Sequence, residues 1–449
     1  MEQTLFSGIV EKFFRLVIGK ITEKFNGQKT EQTLLHKTML VEEYSADLTW
    51  GATELNHSVV AADVVALDSS LPLKRRDKLS NASGKLPKLG MKYFKGEKAI
   101  SDINVMIARG TDEATVASKV FDDAPKVIKG IDVRKEIMFL QALSTGQTLV
   151  TDEDNDGVGI RVSFGYKDEN TFHAITAPWG EETATPQDDL QQLFDKAQED
   201  GNTIAHIYLS KKYFNFFRKS KQGKLLAASY LNNTVTDINL ISVPSRAVFL
   251  EALADEYGAT FHIVDAAFKY QKQDGKTEAV RPWEEPNIIG VPSEVVGRLV
   301  YGTLAEETNP VAGVNYQKSG SHILVSKYSY TDPLREFTAG QALCLPVIDG
   351  ADGIYILHAD ATDKVELVLN PDALAFTAKA ATKKVDCHYD GDTDDLSVNT
   401  EADWLAASIA GDKISVKVAE NKGVERSATV TVTDGTVSKT LNITQSAAE

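Results

Sequence analysis

Short runs of alternating apolar and polar residues fill the C-terminal end of the chain. These runs lie at residues 396–398, 414–418, 428–432 and 441–443. Such alternation is typical of a strand that turns one face toward a core. Asp434-Gly435 stands between the last two runs and is a strong signal for a tight hairpin. The pattern therefore predicts a small all-β sandwich at this end.

At the opposite end, residues 4–25 carry large apolar side chains at helical spacing. They are Leu5, Phe6, Ile9, Val10, Phe13, Phe14, Val17, Ile21 and Phe25, with charged residues between them. This spacing predicts an amphipathic helix. Because its charges are of both signs, packing against the body or another subunit is favoured over a position on a membrane surface.

Residues 68–108 form a basic stretch that is punctuated by glycine and proline. We expect an extended hairpin here rather than a compact unit, with weak strands near residues 92–94 and 103–107.

A helical pattern then starts at Thr111-Asp-Glu113, where acidic residues occupy the first turn. It runs to about Ser144, is interrupted near Pro125 and Gly130, and is ended by Gly146. A second helix is expected from Thr185-Pro186, since proline is favoured at the first helical position.

Strands and helices alternate from residue 204 to residue 264, and strands dominate after residue 285. The body is therefore predicted to be α+β. The acidic, loop-like residues 359–364 are the expected boundary between this body and the terminal sandwich.

Composition adds limits to this picture. The 449 residues are 42% hydrophobic and 25% charged, ordinary values for a globular protein of about two to four domains. No apolar run is long enough to cross a bilayer, and acidic Glu2 stands where a signal peptide has its basic region. With only Cys344 and Cys387, we expect no disulfide framework and a reducing cytoplasm, with Cys344 packed in the core.

The formal net charge of −16 argues against a protein whose main task is to hold nucleic acid through its phosphates. Residues 68–100 are an exception, with nine Lys and Arg against three acidic residues, whereas residues 365–449 hold eight basic and fourteen acidic residues. A basic segment on an acidic body can pair with a neighbouring copy, and a solvated loop face is the alternative. The side chains expected at such an inter-subunit contact are Lys74, Arg75, Arg76, Lys78, Lys85 and Lys88.

One short motif suggests a metal. Asp152-x-Asp154-x-Asp156-Gly157 matches the opening of a calcium loop, but Ser163 stands where the bidentate Glu belongs and the flanks look like strands. We interpret it as a hairpin turn.

The remaining chemistry is sparse. The eight histidines show no metal-ligand spacing, and His206 and His262 lie in apolar strands, where a hydrogen-bonded core histidine is the usual outcome. Dinucleotide, P-loop and nucleophile-elbow motifs are absent from the sequence. We therefore expect no enzyme and no catalytic, cofactor or metal site. A hydrolase that uses paired acidic residues is the least favoured alternative.

Several stretches of the body occur in a familiar order. They are Asp132-Val-Arg-Lys-Glu136, Gln141-Ala-Leu143-Ser-Thr-Gly146, Trp179, Thr185-Pro186-Gln-Asp-Asp-Leu190, Ile204-Ala-His-Ile-Tyr-Leu209, Ile289-Gly-Val-Pro292, Gly297-Arg-Leu-Val-Tyr301-Gly302, Tyr330-Thr-Asp-Pro333 and Ala342-Leu-Cys-Leu-Pro346-Val347. In these stretches the body resembles a tailed-phage major capsid protein of the lambda-like type, with the Hong Kong 97-type fold. The resemblance covers about residues 55–357. It implies an N-terminal arm (1–55), an extended loop region that lies over the next subunit (56–110) and a capsid core with spine helix, peripheral and axial domains (111–361).

The terminal residues 362–449 carry a second pattern. It consists of Asp403-Trp404-Leu405, Asn421, Arg426-Ser-Ala428-Thr-Val430 and Ile443-Thr-Gln445. Here the chain resembles a Bacteroidetes-associated carbohydrate-binding (BACON) domain, an immunoglobulin-like module. Trp404 is expected to be a core tryptophan, with a sugar-stacking role as the weaker alternative. Arg426 is expected to pair within the domain.

The two resemblances imply a major capsid protein that assembles as hexamers and pentamers into an icosahedral phage head around double-stranded DNA. The implied partners are other copies of the chain, scaffold, portal and decoration proteins and, for the externally displayed terminal domain, host or mucosal glycans; no membrane is implied. The implied location is the virion, after assembly in the host cytoplasm. An encapsulin-like nanocompartment shell protein remains an alternative, as does a glycan-binding surface protein.

Overall fold

The computed structural model describes residues 3–27, 34–51, 83–150, 160–232, 241–271, 276–362, 367–389, 393, 396–400, 402–433 and 438–448. The chain divides into two compact units, Met1–Thr362 and Asp363–Glu449. The first unit contains two large apolar clusters and the second contains one.

The first unit mixes helices and strands, which confirms the predicted α+β body. Its helices are α1 (Ser7–Gly27), α2 (His36–Met39), α3 (Glu97–Ala108), α4 (Glu113–Val120), α5 (Ala124–Thr145), α6 (Pro186–Glu199), α7 (Lys211–Lys219), α8 (Lys221–Tyr230), α9 (Arg246–Tyr257) and α10 (Ala305–Thr308). Its strands are β1 (Leu40–Tyr44), β2 (Thr49–Gly51), β3 (Ser83–Lys85), β4 (Lys88–Lys95), β5 (Gln147–Val150), β6 (Ile160–Ser163), β7 (Thr171–Ala174), β8 (His206–Ser210), β9 (Thr260–Val264), β10 (Phe268–Gln271), β11 (Thr277–Val280), β12 (Asn287–Val291), β13 (Gly297–Gly302), β14 (Asn315–Ser319), β15 (Ile323–Thr331), β16 (Leu334–Ile348) and β17 (Tyr355–Thr362).

A six-stranded sheet organises the first apolar cluster. Its order is β1-β13-β16-β15-β14, and β4 also pairs with β16. The long strand β16 pairs with two strands along one edge: with β4 along its first half and with β13 along its second. Helix α5 lies close against this sheet: a Cβ added at Gly340 would come 2.9 Å from the Cβ of Val127. Glycine at that position lets the helix approach the strand.

The predicted helical pattern from Thr111 to Ser144 is two helices, α4 and α5. Asp112 caps α4 by accepting from the backbone N–H of Thr115 at 3.1 Å. Pro125 lies in the first turn of α5, where a missing N–H costs nothing, and Gly146 ends the helix at φ 69° as predicted. The predicted interruption at Gly130 is wrong. The helix continues through this residue, and Met91 of β4 packs directly against the glycine, with Sδ 2.1 Å from where a Cβ would stand.

The expected weak strand at residues 103–107 is also wrong, since these residues belong to helix α3. Ile100 and Ile103 are both buried, and their spacing of three residues places them on one helical face. The β-branched residues favoured a strand locally, but burial of a helical stripe decided the structure. The other weak strand, near residues 92–94, is confirmed as part of β4.

The second apolar cluster surrounds a five-stranded sheet of order β7-β17-β12-β8-β9. Helices α6 to α9 contribute to this cluster, and Phe214, Phe217 and Phe249 pack edge to face within it. Ser210 and Ser245 cap helices α7 and α9 through their hydroxyl oxygens. The predicted helix starting at Thr185-Pro186 is confirmed as α6, although the Thr185 side chain makes no capping hydrogen bond.

The second unit is all β, as the alternating pattern predicts. Its strands are β18 (Leu367–Asn370), β19 (Ala373–Phe376), β20 (Ala381–Tyr389), β21 (Ser397–Asn399), β22 (Leu405–Ala410), β23 (Lys413–Val418), β24 (Arg426–Thr433) and β25 (Ser438–Gln445). They form two four-stranded sheets of order β18-β20-β23-β22 and β19-β25-β24-β21. Strands β24 and β25 pair antiparallel, and the predicted turn at Asp434-Gly435 between them lies outside the described residues.

Both cysteines are free and buried. Burial raises the pKa of the Cys344 thiol to about 12, so this side chain is an unreactive core group, as predicted. Among the described helices, none is long and apolar enough to cross a membrane.

Candidate functional site

Two of the six basic residues predicted at an inter-subunit contact fall within the described chain. Lys85 ends β3, which pairs with β2, and Lys88 begins β4. Both are exposed, and the Lys88 Nζ lies 3.6 Å from the Glu306 carboxylate of the same chain. Lys74, Arg75, Arg76 and Lys78 lie outside the described residues, so their contact role stays a prediction.

The N-terminal segment is fixed to its own body by an apolar face. Phe6, Val10, Phe14 and Ile18 of this segment are buried at one-turn intervals, and Leu16 is exposed. The Phe14 ring stacks on Phe121, with centroids 5.5 Å apart. This confirms the expected amphipathic helix and shows that its apolar stripe packs against the body.

A single carboxylate holds the next part of this segment. Glu136 in α5 accepts from the backbone N–H groups of Leu35 and His36 at 2.8 and 2.9 Å, and the His36 Nδ1 lies 2.6 Å from its Oε2. Both Glu136 and His36 are buried. Burial lowers the pKa of His36, so the ring is neutral and its Nδ1–H donates to the carboxylate.

A polar network continues from this carboxylate along α5. Asp132 contacts Lys37 and Lys135 at 2.9 and 2.8 Å, and Lys135 donates to the Nε2 of His322 at 2.8 Å. Burial raises the pKa of Asp132, but the two lysines outweigh it and lower the value to about 2. Burial and the nearby Lys135 lower the pKa of His322 to about 3.

A cavity of about 200 Å³ borders this network. His36, Asp132, Lys135 and His322 line it, and the buried Nε2 of His36 has no hydrogen-bond partner among the described residues. Apolar and polar side chains share the lining, and the polar groups suit bound water, which commonly satisfies such buried groups.

A second buried carboxylate anchors the chain's first residues. Glu336 in β16 accepts from the Thr4 hydroxyl and from the Leu5 backbone N–H, and Lys327 lies 3.5 Å away. Lys327 is fully buried and also donates to the Val120 carbonyl and the Thr338 hydroxyl, each at 3.2 Å. Burial lowers the pKa of this lysine against the opposing effect of Glu336.

Four histidines form two close pairs. The Nδ1 of His206 lies 3.1 Å from the Nε2 of His262, and the rings of His173 and His358 are 5.2 Å apart. All four are only partly buried. His206 and His262 are therefore hydrogen-bonded as expected, but they are not fully buried core residues. Within the described ranges, no group of three potential ligands could hold a metal ion. The aspartates of residues 152–157 lie outside those ranges.

In the second unit, Trp404 packs against the sandwich core and is partly buried. The Arg426 guanidinium lies over its ring at 4.3 Å. Arg426 donates to the Gln445 Oε1, and the buried Gln445 amide donates in turn to the carbonyls of Thr377, Ala378 and Ala419. Arg426 therefore pairs within its domain, as expected, and one face of the Trp404 ring is covered.

The sequence did not single out Glu336, Lys327 or Glu136 as anchors. A charged residue in a sequence usually indicates a solvated position. The one available signal was Asp132-Val-Arg-Lys-Glu136, where four charged residues share a helix that also carries the long apolar stripe.

Two family models match the chain. The model for phage major capsid protein E matches residues 19–359, and BACON, a model for a domain with an assigned binding role, matches residues 393–446. No curated protein matches the chain.

Solved structures that match the chain include a protein assigned as a prophage capsid protein from Escherichia coli CFT073. It is 14% identical with a TM-score of 0.46, and the match covers 80% of this chain and 99% of that one. A phage-related protein from Bordetella bronchiseptica RB50 is 11% identical with a TM-score of 0.44, covering 76% and 97%. The SrpI encapsulin from Synechococcus elongatus PCC 7942 is 11% identical with a TM-score of 0.37, covering 76% and 95%.

The capsid model spans most of the chain and includes the second large apolar cluster and most of the first. It confirms the predicted capsid fold, and the second model confirms the predicted terminal domain. The chain belongs to the phage major capsid protein E family and carries a BACON domain near its C-terminal end.

Proposed function

We propose that this protein assembles as hexamers and pentamers into an icosahedral phage head that encloses double-stranded DNA. The observation that carries the proposal is the match to the capsid family over residues 19–359. Assembly takes place in the host cytoplasm, with scaffold, portal and decoration proteins as partners, and the protein then resides in the virion. Its work is structural, through contacts between copies that close into rings and then into a shell.

The net negative charge of the chain supports a role in the shell wall rather than in DNA binding. A subunit with a formal charge of −16 repels phosphates, so it encloses DNA without gripping it. The basic residues Lys74, Arg75, Arg76, Lys78, Lys85 and Lys88 would contact the acidic body of a neighbouring subunit. For Lys88, such a contact competes with the pair that it makes with Glu306.

The BACON domain has a separate proposed role. It is displayed outside the shell and binds host or mucosal glycans, with Trp404 as the candidate stacking residue. Because Arg426 covers one face of the ring, sugar would stack only against the other face or the ring edge. Binding of the full-length protein to a glycan array tests this, and retained binding by Trp404→Phe with loss in Trp404→Ala would identify the ring as the contact.

Expression of the chain alone, and then with its neighbouring genes, tests the shell. Sedimentation and negative-stain imaging are expected to show closed particles, tubes or hexagonal sheets. A monodisperse monomer under both conditions at high concentration would contradict the proposal and leave the terminal domain as the main clue. Particles that enclose a cargo enzyme instead of DNA would favour the nanocompartment alternative.

A further inference from the structure

Four aromatic rings lie together on one face of the six-stranded sheet, where β4, β16 and β15 run side by side. Phe337 of β16 stands opposite Phe94 of β4 and opposite Tyr328 of β15. The Phe337 ring centroid is 6.0 Å from Phe94, 5.3 Å from Tyr328 and 5.4 Å from Tyr330. We call Phe94, Tyr328, Tyr330 and Phe337 the aromatic face.

This face is separate from the main core. Tyr328 and Phe337 are buried with Ala339 in a small apolar cluster of their own, distinct from the two large ones. Phe94 and Tyr330 stand at its border and remain 53% and 40% exposed. Large aromatic side chains held in mutual contact and left partly in water are typical of a surface that another protein covers.

Two side chains of opposite charge border the face. The Arg335 guanidinium stacks on the Phe94 ring at 4.4 Å. Asp332 lies in the exposed turn that joins β15 to β16. Within the part of the chain that the structure describes, neither side chain has an ion-pair partner. The same hairpin therefore presents both halves of a complementary pair.

We propose that the aromatic face binds the same hairpin of a second copy of this chain, with Asp332 of one copy paired to Arg335 of the next. The proposal rests on the proposed shell function and names one of its contacts. A surface that contacts the same surface of a second copy is isologous, so Asp332 of each copy meets Arg335 of the other about a two-fold axis. Phenylalanine, tyrosine and arginine are the residues enriched at the centre of protein interfaces.

Charge reversal gives a sharp test. In the full-length protein, Arg335→Asp and Asp332→Arg are each expected to lower the fraction of subunits in particles at least tenfold, because like charges then meet. The double variant, Asp332→Arg with Arg335→Asp, restores the opposite pair and is expected to recover particles. Unchanged thermal unfolding of each variant shows that the loss is one of contact and not of folding.

A second measurement does not depend on complete shells. Asp332→Cys and Arg335→Cys subunits are mixed and mildly oxidised, and a disulfide-linked dimer is expected on a non-reducing gel. Neither variant alone should cross-link to the same extent, and the two native cysteines are buried.

The outcomes separate the two proposals. Shells that form equally well in all variants, with no cross-link, would overturn the contact and leave the shell function standing. A cross-link without shells would support the contact and contradict the shell. If Arg335→Asp assembled normally but lost bound nucleic acid, the face would be a DNA-binding surface and the contact proposal would be wrong.

Discussion

Glu136 and His36 meet at 2.6 Å inside the first unit, although a hundred residues separate them in the chain. The carboxylate also holds two successive backbone N–H groups, so one side chain of α5 fixes the start of α2. This joins the N-terminal segment to the longest helix of the body.

Removing that carboxylate should release the segment. Glu136→Ala removes the acceptor of three donors, two of them buried, and is expected to destabilise the subunit by about 3 kcal/mol. Urea unfolding of the unassembled protein measures this. Glu113→Ala is the matched control, because Glu113 forms an exposed pair with Lys12 and its loss should cost less than about 1 kcal/mol. Equal effects of the two changes would contradict the anchoring role of Glu136.

Stability should fall in mild acid because of His322. Its ring is buried and faces Lys135, Lys37, His36, Asp132 and Glu42, and its pKa is lowered to about 3. The unfolded state binds a proton near pH 6.5, so the contribution of the neutral ring is complete above that pH and is lost progressively below it. At pH 5 the loss attributable to this residue is about 2 kcal/mol.

Comparison with His322→Gln isolates that effect. Glutamine keeps an acceptor for Lys135 but does not titrate, so the variant should lose less stability than the parent between pH 7.5 and pH 5. Parallel pH dependence of parent and variant in urea unfolding would show that other groups are responsible.

The N-terminal helix offers two nearby positions with opposite expectations. Phe14 is 5% exposed and stacks on Phe121, whereas Leu16 is 60% exposed. Phe14→Ala is expected to destabilise the subunit by about 3–5 kcal/mol and to speed proteolysis of the helix. Leu16→Ala should change stability by less than about 0.5 kcal/mol. A large effect of Leu16→Ala on assembly alone would instead place Leu16 at a contact between copies.

In the second unit, Gln445 connects several segments through its side-chain hydrogen bonds. It is fully buried and bonds three backbone carbonyls as well as Arg426. Gln445→Ala is expected to destabilise the terminal domain by about 3 kcal/mol, because several buried polar groups lose their partner. Thr444→Ala at the neighbouring exposed position is the control. Limited proteolysis followed by mass spectrometry reports on this domain separately, and equal protection in both variants would contradict the prediction.

The local parts of the fold could be predicted from the sequence. Apolar spacing indicated α1, and Gly146 indicated the end of α5. The predictions were wrong where contacts with residues outside the local segment decided its secondary structure. Gly130 lies within α5, where Met91 of β4 leaves no room for a Cβ, and residues 103–107 are helical because Ile100 and Ile103 bury one face.

For the candidate sites, less could be predicted. The sequence located the basic residues and Trp404, but it could not show that Lys88 pairs with Glu306 or that Arg426 covers Trp404. Both relationships depend on which strands and loops become neighbours in space.

The sequence by itself determined the two-part organisation, the α+β body, the all-β terminal domain and the likeness to a capsid protein. The first three follow from periodicity, which reports the polarity of each segment's faces, whereas the likeness rests on the order of short stretches along the body. The tertiary structure alone decided that Glu336 holds Thr4 across 332 positions and that Phe94, Phe337 and Tyr328 share one sheet face. Such contacts depend on strand register and chain path. The sequence does not distinguish a buried, paired carboxylate from a solvated one, because only the fold decides which residues surround it.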